Sequence, residues 1–244
     1  MDAFSSFFNS QSASASASLK NLRLISPAVQ SHLKQVYLLL CCSLIASAVG
    51  AYLHILGNIG GFLTALACVG SMIWLLSTPP HQEHKRVSLL MASALFEGAT
   101  IGPLIDLALH VDPSILLSAF VGCAVAFGCF SVAALLARRA EYLYLGGILS
   151  SSISLLFWLQ FASSFFGGSA ALFKFDLYFG LLVFVGYIVF DTQDIVEKAH
   201  LGDLDYVKHA LTLFTDFVAV FVRMLIIMLK NSQNDEEKKK KKRS

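Results

Sequence analysis

The sequence predicts an all-α integral membrane protein built as a bundle of seven helical segments. Three observations carry that prediction. Of the 244 residues 56% are hydrophobic and only 14% charged, where soluble domains carry about 25% charged residues. The mean hydropathy is +0.69. Seven apolar windows, each near the roughly 20 residues a helix needs to cross the hydrocarbon, follow one another at 35–56, 59–77, 87–109, 115–137, 143–166, 172–191 and 210–229. Lipid offers backbone groups no hydrogen-bond partners, so windows of this kind must be helices.

Residues 1–33 are read as a polar, partly disordered cytosolic segment. Its alternation "SASASAS" (12–18) has too few bulky side chains to fold alone, and no cleavable signal sequence precedes the first span. Ser26 before Pro27 is an N-cap followed by proline at the first helical position. Pro79-Pro80 stops the second span, and Asp112-Pro113 opens the fourth as Ser26-Pro27 opens the first. Gly122 with Ala126, and Gly147 with Ser151, put small residues at helical spacing where spans pack closely. Residues 34–230 form the bundle, and 231–244 form a basic tail read as cytosolic. Cys41, Cys42, Cys68, Cys123 and Cys129 lie in apolar stretches without a CxxC and are read as packing residues.

Lys and Arg set the orientation. Lys20, Arg23 and Lys34 flank the first span; Lys85 and Arg86, Arg138 and Arg139, and Lys198 and Lys208 fill every second loop. The intervening loops hold only Lys174. An amino terminus in the cytosol fits these positions. Seven full crossings then put "KNSQNDEEKKKKKRS" (230–244), with its seven Lys and Arg, on the far face. Either that tail departs from the positive-inside tendency, or the last segment is re-entrant. Thr212, Thr215, Asp216 and Arg223 mark this segment as one enclosed by protein.

Three carboxylates inside spans stand out: Glu97 near the centre of the third, Asp191 at the end of the sixth and Asp216 early in the seventh. Each costs about 2.5 to 3.5 kcal/mol at a helix centre on insertion scales, so each is expected to face the bundle interior. A short loop makes the last two spans antiparallel neighbours, which brings Asp191 and Asp216 to one depth near the cytosolic surface. Two carboxyl groups held close in a low-dielectric site share a proton and respond to acidification. Arg223, two turns beyond Asp216 on the same face, is a candidate counter-charge. The plainer alternative has Asp191 and Asp194 end a helix, with Asp194 paired to Lys198. Glu97, next to Gly98 and followed by Gly102 and Pro103, reads either as part of a kinked pore or gate or as a structural carboxyl bonded to a neighbouring helix. His81 and His84 have no further ligands nearby, and no metal site is expected.

The stretches "SPAVQSHLKQVY", "EGATIGPLI", "ARRAEYLYLGG" and "FGLLVFVGYIVFDTQDIVEKAHLGDLDYVKHALTLFTDFVAVFVRMLIIM" resemble the Bax inhibitor-1 family in its plant branch. The resemblance runs from about residue 20 to the end. It implies seven helical segments in the endoplasmic reticulum membrane, suppression of programmed cell death during stress, and a pH-sensitive calcium leak. It gives Asp191 and Asp216 the role of pH-sensing pair, with protonation favouring the leaking state. Bacterial relatives latch that pair with an arginine at the end of the second helix. The basic residues nearest that place here, Lys85 and Arg86, follow two prolines.

The resemblance also gives the tail a meaning. Lys241 and Lys242 resemble a dilysine retrieval signal, and Lys238, Lys239, Lys240, Lys241, Lys242 and Arg243 a calmodulin-binding segment. Electrostatics alone extends this to anionic lipids. Cytochrome b5 and sphingolipid-modifying enzymes are further implied partners. Calcium is expected in transit only, and no cofactor, catalysis or nucleic acid is expected. The sequence sets no oligomeric state.

Two rival functions fit parts of this pattern. An intramembrane aspartyl protease also carries one aspartate on each of two spans, but Phe190 stands where its tyrosine precedes the first, and "LFTDF" replaces its glycine-rich approach to the second. A non-conducting scaffold would act through its partners, and so through the tail.

Overall fold

The computed structural model describes residues 26–137, 144–166 and 169–243. Seven helices follow one another: α1 (Pro27–Gly57), α2 (Phe62–Ser77), α3 (Glu83–Val111), α4 (Pro113–Leu136), α5 (Leu145–Phe166), α6 (Ala170–His200) and α7 (Tyr206–Arg243). There is no strand among the described residues. Six helices are long and apolar enough to cross a membrane. The exception, α2, has 16 residues, about 24 Å at the helical rise.

Local chemistry sets the helix ends. The Ser26 hydroxyl accepts the Val29 amide at 3.4 Å, and Pro27 stands at the first helical position, where an amide hydrogen would be wasted. At the far end of α1, Asn58 turns into the left-handed region (φ 49°) and donates its amide to the His54 carbonyl. The His54 ring then accepts the Gly60 amide at 2.7 Å, which fixes the turn into α2. Asp112 accepts the Ser114 amide at 2.8 Å and opens α4.

Between helices in lipid, attraction comes from close packing and not from expulsion of water. Glycine permits it between α1 and α3, which run side by side in one direction. A Cβ on Gly98 would overlap the Ser47 carbonyl, one on Gly50 the Leu95 carbonyl, and one on Gly102 the His54 ring. Helix α2 lies antiparallel on α3, with Thr100 bonded to Thr64 at 3.2 Å. On the other side α4 packs along α7: Gly122 meets Met224, and Phe127 meets Phe217 with ring centroids 5.6 Å apart. The Gly147–Ser151 pair, expected at a close contact, faces no neighbour. One residue earlier, Gly146 receives the Phe190 ring of α6 instead, because a step of one residue turns the contact face by about 100°. Helix α5 packs on α6 through Leu149, Leu156 and Val183 and leaves Phe157, Trp158, Phe161 and Phe165 outward.

Helix α7 traverses the bundle. It starts beside α3, where the Tyr206 phenol donates to Glu83 at 3.2 Å. It reaches Lys230, whose ammonium lies 4.3 Å from the Phe173 ring centroid, near the start of α6. Of the two arrangements the sequence allowed for the last segment, the full traverse is the one formed, and re-entry is not. The chain before Pro27 and the chain after Lys230 therefore leave opposite ends of the bundle. Helical backbone continues through Lys238, Lys239, Lys240, Lys241, Lys242 and Arg243.

Candidate functional site: a carboxyl pair between two helices

Helices α6 and α7 are joined by the five residues 201–205. Asp191 lies nine residues before the end of α6 and Asp216 ten after the start of α7, so an antiparallel pair sets them level. Their carboxyl groups lie close enough to act on each other. Asp216 is only 5% exposed, its Oδ2 has no partner, and Asp191 is half-buried. Two carboxyl groups so placed can bond only when one of them holds a proton.

The residues nearby keep the pair dry and specify its neighbours. Phe214, Leu213, Ile188, Ile195 and Val220 on the same two helices are almost fully buried. Tyr187, one turn before Asp191, faces both acids. Asp194 and Lys198 act on Asp191 from the same helix, but Lys198 is engaged with Asp194 at 2.5 Å. Asp194 pairs with Lys198, as the plainer reading has it, but the helix runs on to His200, so neither aspartate ends it, and Asp191 faces Asp216. One residue on from Asp191, the Thr192 hydroxyl faces that of Tyr37 on α1, which also faces Ser131 of α4.

Arg223 does not meet the pair. Its guanidinium stacks 4.4 Å from the Phe184 ring centroid, donates to the Ala219 carbonyl at 3.3 Å, and has Asp176 as its acidic neighbour. The reason is geometric: seven residues carry it about 10 Å along the axis from Asp216, and α6 opens a slot for it at Gly180, where a Cβ would strike its Nε.

Arg86 and Lys85 are also engaged away from the pair. Arg86, 4% exposed, donates to Asp205 at 2.7 Å. Asp205 also accepts the Lys208 amide at 3.1 Å. Burial alone would raise the Asp205 carboxyl; the Arg86 and Lys208 hydrogen bonds and the Arg86 charge outweigh it and hold the group below its ordinary range. With Tyr206–Glu83, this contact ties the first turn of α3 to the loop that launches α7. The Lys85 ammonium sits 5.3 Å over the Trp74 ring.

Glu97 accepts from the Cys68 thiol of α2 at 3.2 Å, which is the structural alternative of the two readings for it. Pro103 is exposed on the outer surface of a helix that continues through it. Cys68 and Cys123 are buried, and Cys41, Cys42 and Cys129 are exposed thiols on the outside. His81 and His84 are exposed, and no cluster of three metal-binding side chains occurs among the described residues. Arg138 and Arg139 lie outside the described residues.

Sequence reasoning passed over two contacts at this end. One is Arg86–Asp205, whose partners lie 119 residues apart. The other joins His32 of α1 to His209 of α7 at 2.9 Å. Each histidine falls on an apolar helix face, a readable signal, but nothing in the sequence pairs them.

The profile of a family described as inhibitor of apoptosis-promoting Bax1 matches residues 29–234. The chain belongs to this Bax inhibitor family. Its similarity to individual members extends over almost the whole length. It is 72% identical over 234 residues to Bax inhibitor 1 of Arabidopsis thaliana, with 95% of each chain covered. It is 64% identical over 235 residues to Bax inhibitor 1 of Oryza sativa subsp. japonica, covering 95% of this chain and 94% of that one. The bovine Bax inhibitor 1 is 45% identical over 211 residues, 85% of this chain and 89% of its own. Membership of the Bax inhibitor family and six membrane-length apolar helices make this a multi-pass membrane protein.

Proposed function

We propose that this protein suppresses programmed cell death as a non-enzymatic regulator in the endoplasmic reticulum membrane, through a calcium leak gated by the Asp191–Asp216 pair. The relatives' name, Bax inhibitor 1, supports the suppressor role. The observation that carries the calcium leak is the close placement of two carboxyl groups, one of them buried, on neighbouring spans, where a proton held between them would form a hydrogen bond. With one shared proton the bond is charge-assisted and short, and it holds α6 to α7. A second proton leaves an ordinary neutral hydrogen bond, so acidification loosens the two helices. Both ionised, the groups would repel.

The orientation proposed puts the amino terminus, and with it the pair, at the cytosolic face, following the charge around the first span. Calcium efflux from liposomes, compared between wild type and Asp191→Asn with Asp216→Asn, tests the gate: it should rise on acidification in the first and lose that response in the second.

One observation favours a scaffold as the second reading. Helix α7 continues unbroken into the basic run Lys238–Arg243, the form in which calmodulin or an anionic lipid surface takes a basic segment. That reading, like dilysine retrieval through Lys241 and Lys242 or recruitment of cytochrome b5 and sphingolipid-modifying enzymes by the tail, needs the tail in the cytosol. By the traverse of α7 it then needs the carboxyl pair on the opposite face. Sidedness separates the two functions.

A further inference from the structure

We propose that the imidazoles of His32 and His209 form a second proton-responsive contact, one that holds α1 against α7 at the carboxyl-pair end of the bundle and releases it when both rings are protonated. His32 lies in the second turn of α1 and His209 in the first turn of α7. Each is 3% exposed. His32 Nε2 and His209 Nδ1 are 2.9 Å apart, with the rings nearly perpendicular at 87°. The surrounding core includes Val29, Leu33, Val36, Val207 and Ala210. The outer nitrogens, His32 Nδ1 and His209 Nε2, have no partner.

Proton counting gives the pair three states. With both rings neutral, one N–H donates to the bare nitrogen of the other. One added proton keeps that bond, now from imidazolium to imidazole, because the acceptor nitrogen is still free. A second proton removes the last acceptor. Two N–H groups then point at each other across 2.9 Å, each on a cation, and the contact becomes repulsive. Histidine ordinarily changes charge at about pH 6.5, and the second of two protons, entering a ring beside an imidazolium, requires a lower pH than the first.

The charges that face the rings, besides each other, come from the α6–α7 loop and from α6. Asp203 and Asp205 of the α6–α7 loop act on both rings, and Lys198 of α6 acts on His209. Asp205 is already joined to Arg86 of α3, which leaves Asp203 as the unneutralised acid of this set. A cavity of about 420 Å³ bounded by Glu83, Arg86, Asp203, Asp205 and Lys208 also touches Val207, two residues before His209, and gives protons a polar approach.

His209 and Asp216 are seven residues apart on one face of α7, so freeing the first turns of α7 from α1 displaces the element that presents Asp216. As a control on calcium leak the contact rests on the function proposed above; as a movement of α1 against α7 it does not, and its test reads no flux. Spin labels at the exposed positions Lys34 and Lys208, in protein whose exposed Cys41, Cys42 and Cys129 are replaced, report the α1–α7 distance in lipid nanodiscs between pH 8 and pH 5. The distance should lengthen on acidification in wild type and equally in Asp191→Asn with Asp216→Asn, and stay constant in His32→Gln with His209→Gln, whose amides bond without titrating. A wild-type distance that does not change, or a change abolished by the aspartate substitutions, overturns the proposal. So does a change that persists in the glutamine variant. Should the glutamine variant not fold, the decision rests on the aspartate variant: a midpoint between about pH 6.5 and pH 5 supports the contact, and no transition in that range refutes it.

Discussion

Arg86 of α3 and Asp205 of the α6–α7 loop form an ion pair at 2.7 Å with side chains only 4% and 13% exposed. Removing one partner of such a buried pair strands the other charge, at a cost of about 3 kcal/mol. Arg86→Met and Asp205→Asn should therefore each lower the thermal stability of the purified protein, and the double variant should recover part of the loss. Equal and additive losses would contradict a pairwise clasp. The pH dependence has a definite sign. Asp205 is held below its unfolded value, near about 3.9, so the clasp is complete above that pH and weakens as pH falls through the lower folded value. Between pH 8 and pH 6 it is constant, and changes in that window belong to other groups.

Gly98 carries the close approach of α1 and α3. A Cβ there meets the Ser47 backbone carbonyl, which cannot swing aside as a side chain would. Gly98→Ala should cost about 1 to 3 kcal/mol in chemical or thermal unfolding in detergent. Gly128→Ala, where nothing lies within 4 Å of the added carbon, should stay within about 0.5 kcal/mol of wild type.

The traverse of α7 fixes the relation between the two ends of the chain. Glycosylation acceptor sites placed before Pro27 and after Arg243 should never both be modified in microsomes, and never both be spared, when each is otherwise accessible. Modification beyond Arg243 alone supports a cytosolic carboxyl pair. Modification before Pro27 alone moves the pair to the lumen and the tail to the cytosol, as the scaffold requires. Two sites on one side would contradict the traverse.

Much of this fold could be read from residues alone, because lipid imposes a simple rule on the backbone. Ser26-Pro27 and Asp112-Pro113 open the helices they were expected to open, and the short α6–α7 loop was enough to bring Asp191 level with Asp216. What escaped depended on rotation about helix axes and on distant partners. Arg223 shares a helix face with Asp216 yet lodges against Gly180, because a face defined in sequence does not say which residue of the neighbouring helix leaves room. Gly146 replaced Gly147 by one step of that rotation. His32 and His209 lie 177 residues apart, and no local periodicity links them.

The most direct measurement is calcium efflux from liposomes holding the protein in one known orientation, with only one face acidified from pH 8 to pH 6. If the Asp191–Asp216 pair is the gate, efflux rises when the face bearing Pro27 is acidified. It stays flat when the opposite face is, and the response disappears in Asp191→Asn with Asp216→Asn. Efflux no greater than from empty liposomes with folded protein, or an acid response that survives the double substitution, would contradict it.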